Sequence, residues 1–164
     1  MNITICGHAK AVKILELSPN QLDVIFISNP DDKYGVSTSE KIPLLTKEFC
    51  CLLFHDISFD RGSLTPPNQT DIEKALDFAK GRNDLIVTCQ AGISRSSATA
   101  YVIQAAELGA IDALNVLDLN IHFPNDLIIE HGSKILNNPE LIDAMKKWKN
   151  KAEQFQIQDQ IELS

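Results

Sequence analysis

The chain reads as an α/β protein: a mostly parallel central sheet of about four to five strands, flanked by helices. Three observations predict this. Short apolar runs alternate with segments of helical periodicity from residue 2 to residue 108. Two of those runs, Val24-Ile25-Phe26-Ile27 and Phe49 to Phe54, are almost continuously apolar, as strands buried on both faces are. The last third of the chain carries helical segments only, which supplies a layer to cover the sheet. With 164 residues, 44% of them hydrophobic, the chain has enough apolar surface for one real core. We read residues 1–155 as a single domain and 156–164 as a polar C-terminal tail.

Taken in order, Asn2 to Cys6 alternates and predicts a first strand. Ala9 to Leu17 has helical spacing and is closed by Ser18-Pro19-Asn20. Asp23 to Ser28 is the second strand. Asn29 to Lys41, rich in Asn, Pro, Asp, Gly and Ser, is a loop. Phe49 to Phe54 is a third strand, and His55 to Pro67 a polar surface loop. Thr65 with Pro66 behind it predicts a helix start, with the helix running to about Lys80 and stopped by Gly81. Asp84 to Thr88 is a fourth strand. Ser96 to Leu108 is Ala-rich and apolar on most sides, which predicts a central helix broken by Gly109. Ile111 to Leu119 predicts another helix. Asn125 or Asp126 caps the next, to about Leu136, and Asn138-Pro139-Glu140 opens a last one to about Phe155.

Chemistry concentrates in one place. Leu85-Ile86-Val87-Thr88 leads into Cys89-Gln90-Ala91-Gly92-Ile93-Ser94-Arg95-Ser96, and a helix follows at once. A thiol at a strand end, a tight loop and an arginine in the first helical turn make an anion cradle. Loop amides and the positive end of the helix dipole converge on one spot. Gly92 sits mid-loop, where the curl needs permissive dihedrals. The thiolate is the nucleophilic form of cysteine, and a helix N-terminus with a cation beside it favours that form. Cys89 is therefore the candidate nucleophile. Arg95 would grip two phosphate oxygens through its planar fork, which a lysine cannot copy. The backbone N–H groups of Gln90, Ala91, Gly92, Ile93, Ser94 and Arg95 would bind the remaining oxygen charge. Ser96 is placed to hydrogen-bond the sulfur, or simply to cap the helix.

This segment resembles the signature loop of the cysteine-based protein tyrosine phosphatases, in the compact dual-specificity-like form of small bacterial members. The resemblance is sharpest from Phe54 to Leu108 and returns at Phe123-Pro124-Asn125. It implies a phosphatase-like fold, no cofactor and no metal. It also implies hydrolysis of phosphotyrosine, and of phosphoserine or phosphothreonine, through a phosphocysteine on Cys89. In that family an aspartate about thirty residues before the cysteine is the general acid. Asp56 and Asp60 both stand at that separation; Asp56 is preferred, because the end of a strand fixes direction better than mid-loop. One departure is plain: the family carries His immediately before the cysteine, and this chain has Thr88. Two other readings stay open, a pseudo-phosphatase that binds phosphate without turnover and a phosphoinositide phosphatase. A rhodanese-like sulfur transferase fits Gly92 and Arg95-Ser96 less well.

Charge narrows the partners. The net charge is −7, and no basic face is available to exchange counterions along a nucleic acid. A phosphorylated protein or a small phosphorylated molecule is the expected substrate; the oligomeric state is open. Cys6, Cys50, Cys51 and Cys89 show no paired metal or disulfide spacing, which fits a reducing compartment, the cytoplasm. Export to act in another cell stays open. No apolar run reaches the length of a membrane span.

Overall fold

Side-chain alternation in two strands sets up the layers. In the computed structural model, which describes residues 1–31, 40–59 and 62–162 (side chains to 155), four strands form one sheet. They are β1 (Asn2–Gly7), β2 (Asp23–Ser28), β3 (Phe49–Leu53) and β4 (Asp84–Cys89), in the order β1-β4-β2-β3, and every neighbouring pair is parallel. The predicted parallel sheet is thus present. Val24, Phe26 and Ile86 face α1 (His8–Leu17), which meets them with Ala11, Val12 and Leu15, and a short α2 (Ile42–Leu45), which adds Ile42. Ile25, Ile27, Leu85, Val87 and Cys89 face the other way. There they meet the larger helical layer: α3 (Gln69–Ala79), α4 (Arg95–Leu108), α5 (Asp126–Ile135) and α6 (Glu140–Glu162). Every residue of β2 is buried, which is why that strand shows no polar alternation.

Helix α4 is the hub of that layer. Residues 95 through 105 are all buried, and small side chains such as Ser96, Ser97, Ala98 and Ala100 let its neighbours come close. Gly132 of α5 makes one such approach: a Cβ there would lie 2.5 Å from Val102 Cγ2. Gly109, at φ +84°, ends the helix as predicted.

Three elements depart from the sequence reading. Helix α3 starts three residues later than the Thr65 cap. Asn68 and Asp71 form a reciprocal capping box, with bonds of 3.1 and 3.2 Å. Pro67 disfavours helical dihedrals at Pro66, so the helix cannot open there. The helix predicted at Ile111 to Leu119 shrinks to a 3-10 turn at Asp112–Val116. Beyond it Leu117 is extended, Asn120 N donates to Asp118 Oδ1 (2.8 Å), and Asp118 N donates to His122 Nδ1 (2.9 Å), so local side chains take the backbone groups a helix would use. Helix α6 continues past Phe155 to Glu162. The predicted loop at Asn29 to Lys41 lies mostly outside the described residues. Among the described residues no helix is long and apolar enough to cross a membrane.

Candidate active site

The carboxyl ends of β2, β3 and β4 open on the same edge of the sheet, where ligands of parallel α/β sheets bind. Cys89 closes β4, opposite Gly7 of β1, and α4 begins six residues later at Arg95. Gly92 turns the intervening loop at φ +77°. A Cβ there would fall 2.3 Å from Gly7 N and 2.4 Å from Cys6 C, so the loop is wrapped onto the end of β1 and only glycine fits. The amides of residues 90–94 make no hydrogen bond with the described residues. Five adjacent N–H groups, unpaired among the described residues, thus precede the N-terminus of a 14-residue helix, an arrangement whose dipoles suit an anion.

The other predicted groups meet at this loop. Cys89 is 3% exposed, and its Sγ lies 3.1 Å from Ser96 Oγ. Arg95 is 4% exposed; its Nη1 donates to Asn29 Oδ1 at 2.8 Å and to the Phe54 carbonyl at 2.9 Å. These bonds tie the guanidinium to the ends of β2 and β3 and fix its plane, while its buried Nε has no partner among the described residues. Cys89, Gln90, Ala91, Ile93, Ser94 and Arg95 line one cavity of about 470 Å³ with Asp56 and His55. Gly92 shapes the loop from behind, and Ser96 sits behind the sulfur. A separate cavity of about 390 Å³, between α3 and α4, is remote from all of them; there Asp77 is paired with Lys80 and Glu107 with the N-terminal amine.

Asp56 enters the cavity from the chain that follows β3. Its Oδ1 accepts two bonds, from Ser94 Oγ at 2.8 Å and from Asn125 Nδ2 at 2.9 Å. Asn125 also donates to the Ile57 carbonyl (3.3 Å) and caps α5 by accepting from Ile128 N (3.2 Å). The cap was legible in the sequence; the grip on Asp56 was not, because 69 residues separate the pair. Asn29 was likewise missed, its only signal being its place just after β2. Asp60, the other candidate acid, lies outside the described residues. His55 borders the cavity, with Nδ1 accepting from Thr65 N at 2.9 Å and Nε2 3.5 Å from Asp31. His122 is buried away from it, and burial pulls its pKa below the usual value near 6.5. Thr88 is fully buried on the opposite face of β4, beside Cys6 of β1.

The sequence matches no protein-family model and no curated protein. Solved structures do resemble it. DUSP15, a dual-specificity phosphatase, superposes with a TM-score of 0.53 at 17% identity, over 93% of this chain and 91% of that one. PTPMT1 matches with a TM-score of 0.47 at 15% identity, over 96% and 95% of the two chains. Tk-PTP matches with a TM-score of 0.47 at 13% identity, over 93% and 92%. With a parallel sheet flanked by helices and a match to DUSP15 over nearly the whole of both chains, this chain has a phosphatase-like α/β fold.

Proposed function

We propose that the protein is a cysteine-dependent phosphatase acting on phosphomonoesters, phosphotyrosine first, with phosphoserine and phosphothreonine as further substrates. One observation carries the reading. A buried thiol, a run of unpaired amides and a guanidinium with an unpartnered Nε share a single cavity with a tethered carboxylate.

The phosphoryl group sits on the 90–94 amides with two oxygens on the Arg95 fork. Cys89 Sγ attacks phosphorus, an S–P bond forms, and the P–O bond to the leaving group breaks. Asp56 gives its proton to the departing oxygen. Water then attacks the phosphocysteine, Asp56 takes a proton from it, and the S–P bond breaks. The sulfur leaves as thiolate, accepting a hydrogen bond from Ser96 Oγ. Charge is held throughout by fixed dipoles, as phosphoryl transfer requires. The thiol must stay reduced, so the protein works in a reducing compartment, which we place in the cytoplasm.

The test is hydrolysis of para-nitrophenyl phosphate by the purified, metal-free protein. We expect turnover that vanadate inhibits and that Cys89→Ser abolishes. Tight vanadate binding without turnover would make the protein a phosphate-binding module instead. Turnover that survives Cys89→Ser would overturn the mechanism.

A further inference from the structure

A second cavity, about 330 Å³, adjoins the catalytic one. The two share Asp56, Ile93 and Ser94 as a common wall. Its far side is Phe123 and Pro124, with Lys149 of α6 at the edge. Ile93 and Phe123 are large apolar side chains left 40% and 56% exposed, flanking one opening. They do not face each other by accident: Phe123 N donates to the Ile93 carbonyl at 3.0 Å, so the phosphate loop and the chain before α5 are pinned together. Lys149 Nζ lies over the Phe123 ring, 4.8 Å from its centroid, a cation–π contact at the cavity edge.

Charge decides what the cavity takes. Lys149 Nζ is 2.7 Å from Asp126 Oδ1 and its side chain is largely buried, so its charge is already spent. Among the described residues lining the cavity, Lys149 is the one ammonium, and Asp126 already neutralises it. An acidic side chain entering would give up its hydration with no free cation among these residues to replace it, while a neutral apolar side chain would cover Ile93 and Phe123.

Given the phosphatase reading above, on which this rests, a substrate whose phosphate sits on residues 90–94 has Ile93, a wall of both cavities, within reach of its neighbouring group. The geometry points to a specificity subsite, formed by Ile93, Phe123 and Pro124, for an apolar side chain flanking the phosphorylated residue of a peptide, and selective against an acidic one.

The experiment uses phosphotyrosine peptides that differ only in carrying Leu or Glu at one position, from two before to two after the phosphotyrosine. The full chain and Phe123→Ala are compared on these peptides and on para-nitrophenyl phosphate. We expect kcat/KM to favour Leu over Glu by about tenfold at one position or more, as an apolar pocket discriminates. Phe123→Ala should erase that preference while para-nitrophenyl phosphate turnover stays within about twofold, which also reports that the variant is folded. A preference for Glu, or a Leu preference untouched in Phe123→Ala, overturns the subsite. If the full chain turns over no aryl phosphate, the phosphatase reading has failed rather than the subsite. Fluorescence anisotropy of the same peptides then decides: tighter binding of the Leu peptides, lost in Phe123→Ala, supports the subsite, and equal binding overturns it.

Discussion

Asp56 is held by one oxygen, and this makes its role measurable. Ser94 and Asn125 both donate to Oδ1, which leaves Oδ2 as the oxygen that would deliver the proton in the proposed reaction. Asp56→Ala removes the acid altogether. Positioned general acids contribute about 10²–10⁴-fold, and the loss should fall on substrates whose leaving oxygen needs a proton. Phenyl phosphate turnover should therefore drop by about 10² or more, and para-nitrophenyl phosphate, with its stable leaving anion, by about tenfold at most. Asn125→Ala keeps the acid and removes one of its two donors. A hydrogen bond to a charged group is worth about 1.5–3 kcal/mol, and 1.4 kcal/mol is tenfold in rate. Phenyl phosphate turnover should then fall about 10- to 100-fold, with the activated ester nearly unchanged. The same substitution removes the α5 cap, which costs about 1 kcal/mol of stability, so activity must be read well below the melting temperature. The assay is a leaving-group series at one pH for the full chain and both variants. Equal losses on both esters in Asp56→Ala would refute the assignment, since the residue would then be acting on binding or fold.

Arg95→Lys keeps the charge but loses the fork and the fixed bonds to Asn29 and Phe54. Losing two charge-assisted bonds to phosphate should weaken vanadate binding by about 10²–10⁴-fold by titration calorimetry. Gly92→Ala forces φ +77° on a residue with a Cβ, 2.3 Å from Gly7 N; strain and overpacking together should cost about 2–5 kcal/mol, seen as a drop in Tm and lost vanadate binding. His122 is lowered by burial, against a smaller upward pull from Asp118. Its unfolded form therefore takes a proton first as pH falls through about 6.5, and stability declines below that pH. Tm measured from pH 8 to pH 5 should fall more steeply for the full chain than for His122→Asn.

Local signals revealed the strands, the loop and the hub helix because each is written in adjacent residues. Val24 to Ile27 is apolar without a break because β2 is buried on both faces. Gly92 stands mid-loop because the backbone of β1 occupies the space a side chain would need. The failures share a cause as well. Asn125 reaches Asp56, and Asn29 reaches Arg95, only after the fold has brought distant segments to one edge of the sheet, and no periodicity encodes that. The Ile111 to Leu119 helix fails for the opposite reason: its apolar spacing is helical, but Asp118 and His122 compete for its backbone. The Thr65 start fails because two prolines in a row favour extended chain, and a better cap stands just beyond them.

Thr88 can be settled on the same physical grounds. Strand alternation turns residue 88 away from the sulfur and into the α1 layer, where it is fully buried next to Cys6. The groups that can hold negative charge on Cys89 are the loop amides, Ser96 and the start of α4, none of which runs through residue 88. Burial raises the Cys6 pKa, so that neighbour stays a neutral thiol. The Thr88 hydroxyl lies beside it without a geometrically sound hydrogen bond. Replacing a buried, unpaired hydroxyl by a methyl of similar size removes a desolvated polar group and leaves the packing in place. Thr88→Val should therefore raise Tm or leave it unchanged, by about 0–1 kcal/mol in stability, and keep para-nitrophenyl phosphate turnover within about threefold. A tenfold loss in turnover at unchanged Tm would mean that residue 88 reaches the chemistry after all, and that the sulfur is governed from both faces of the strand.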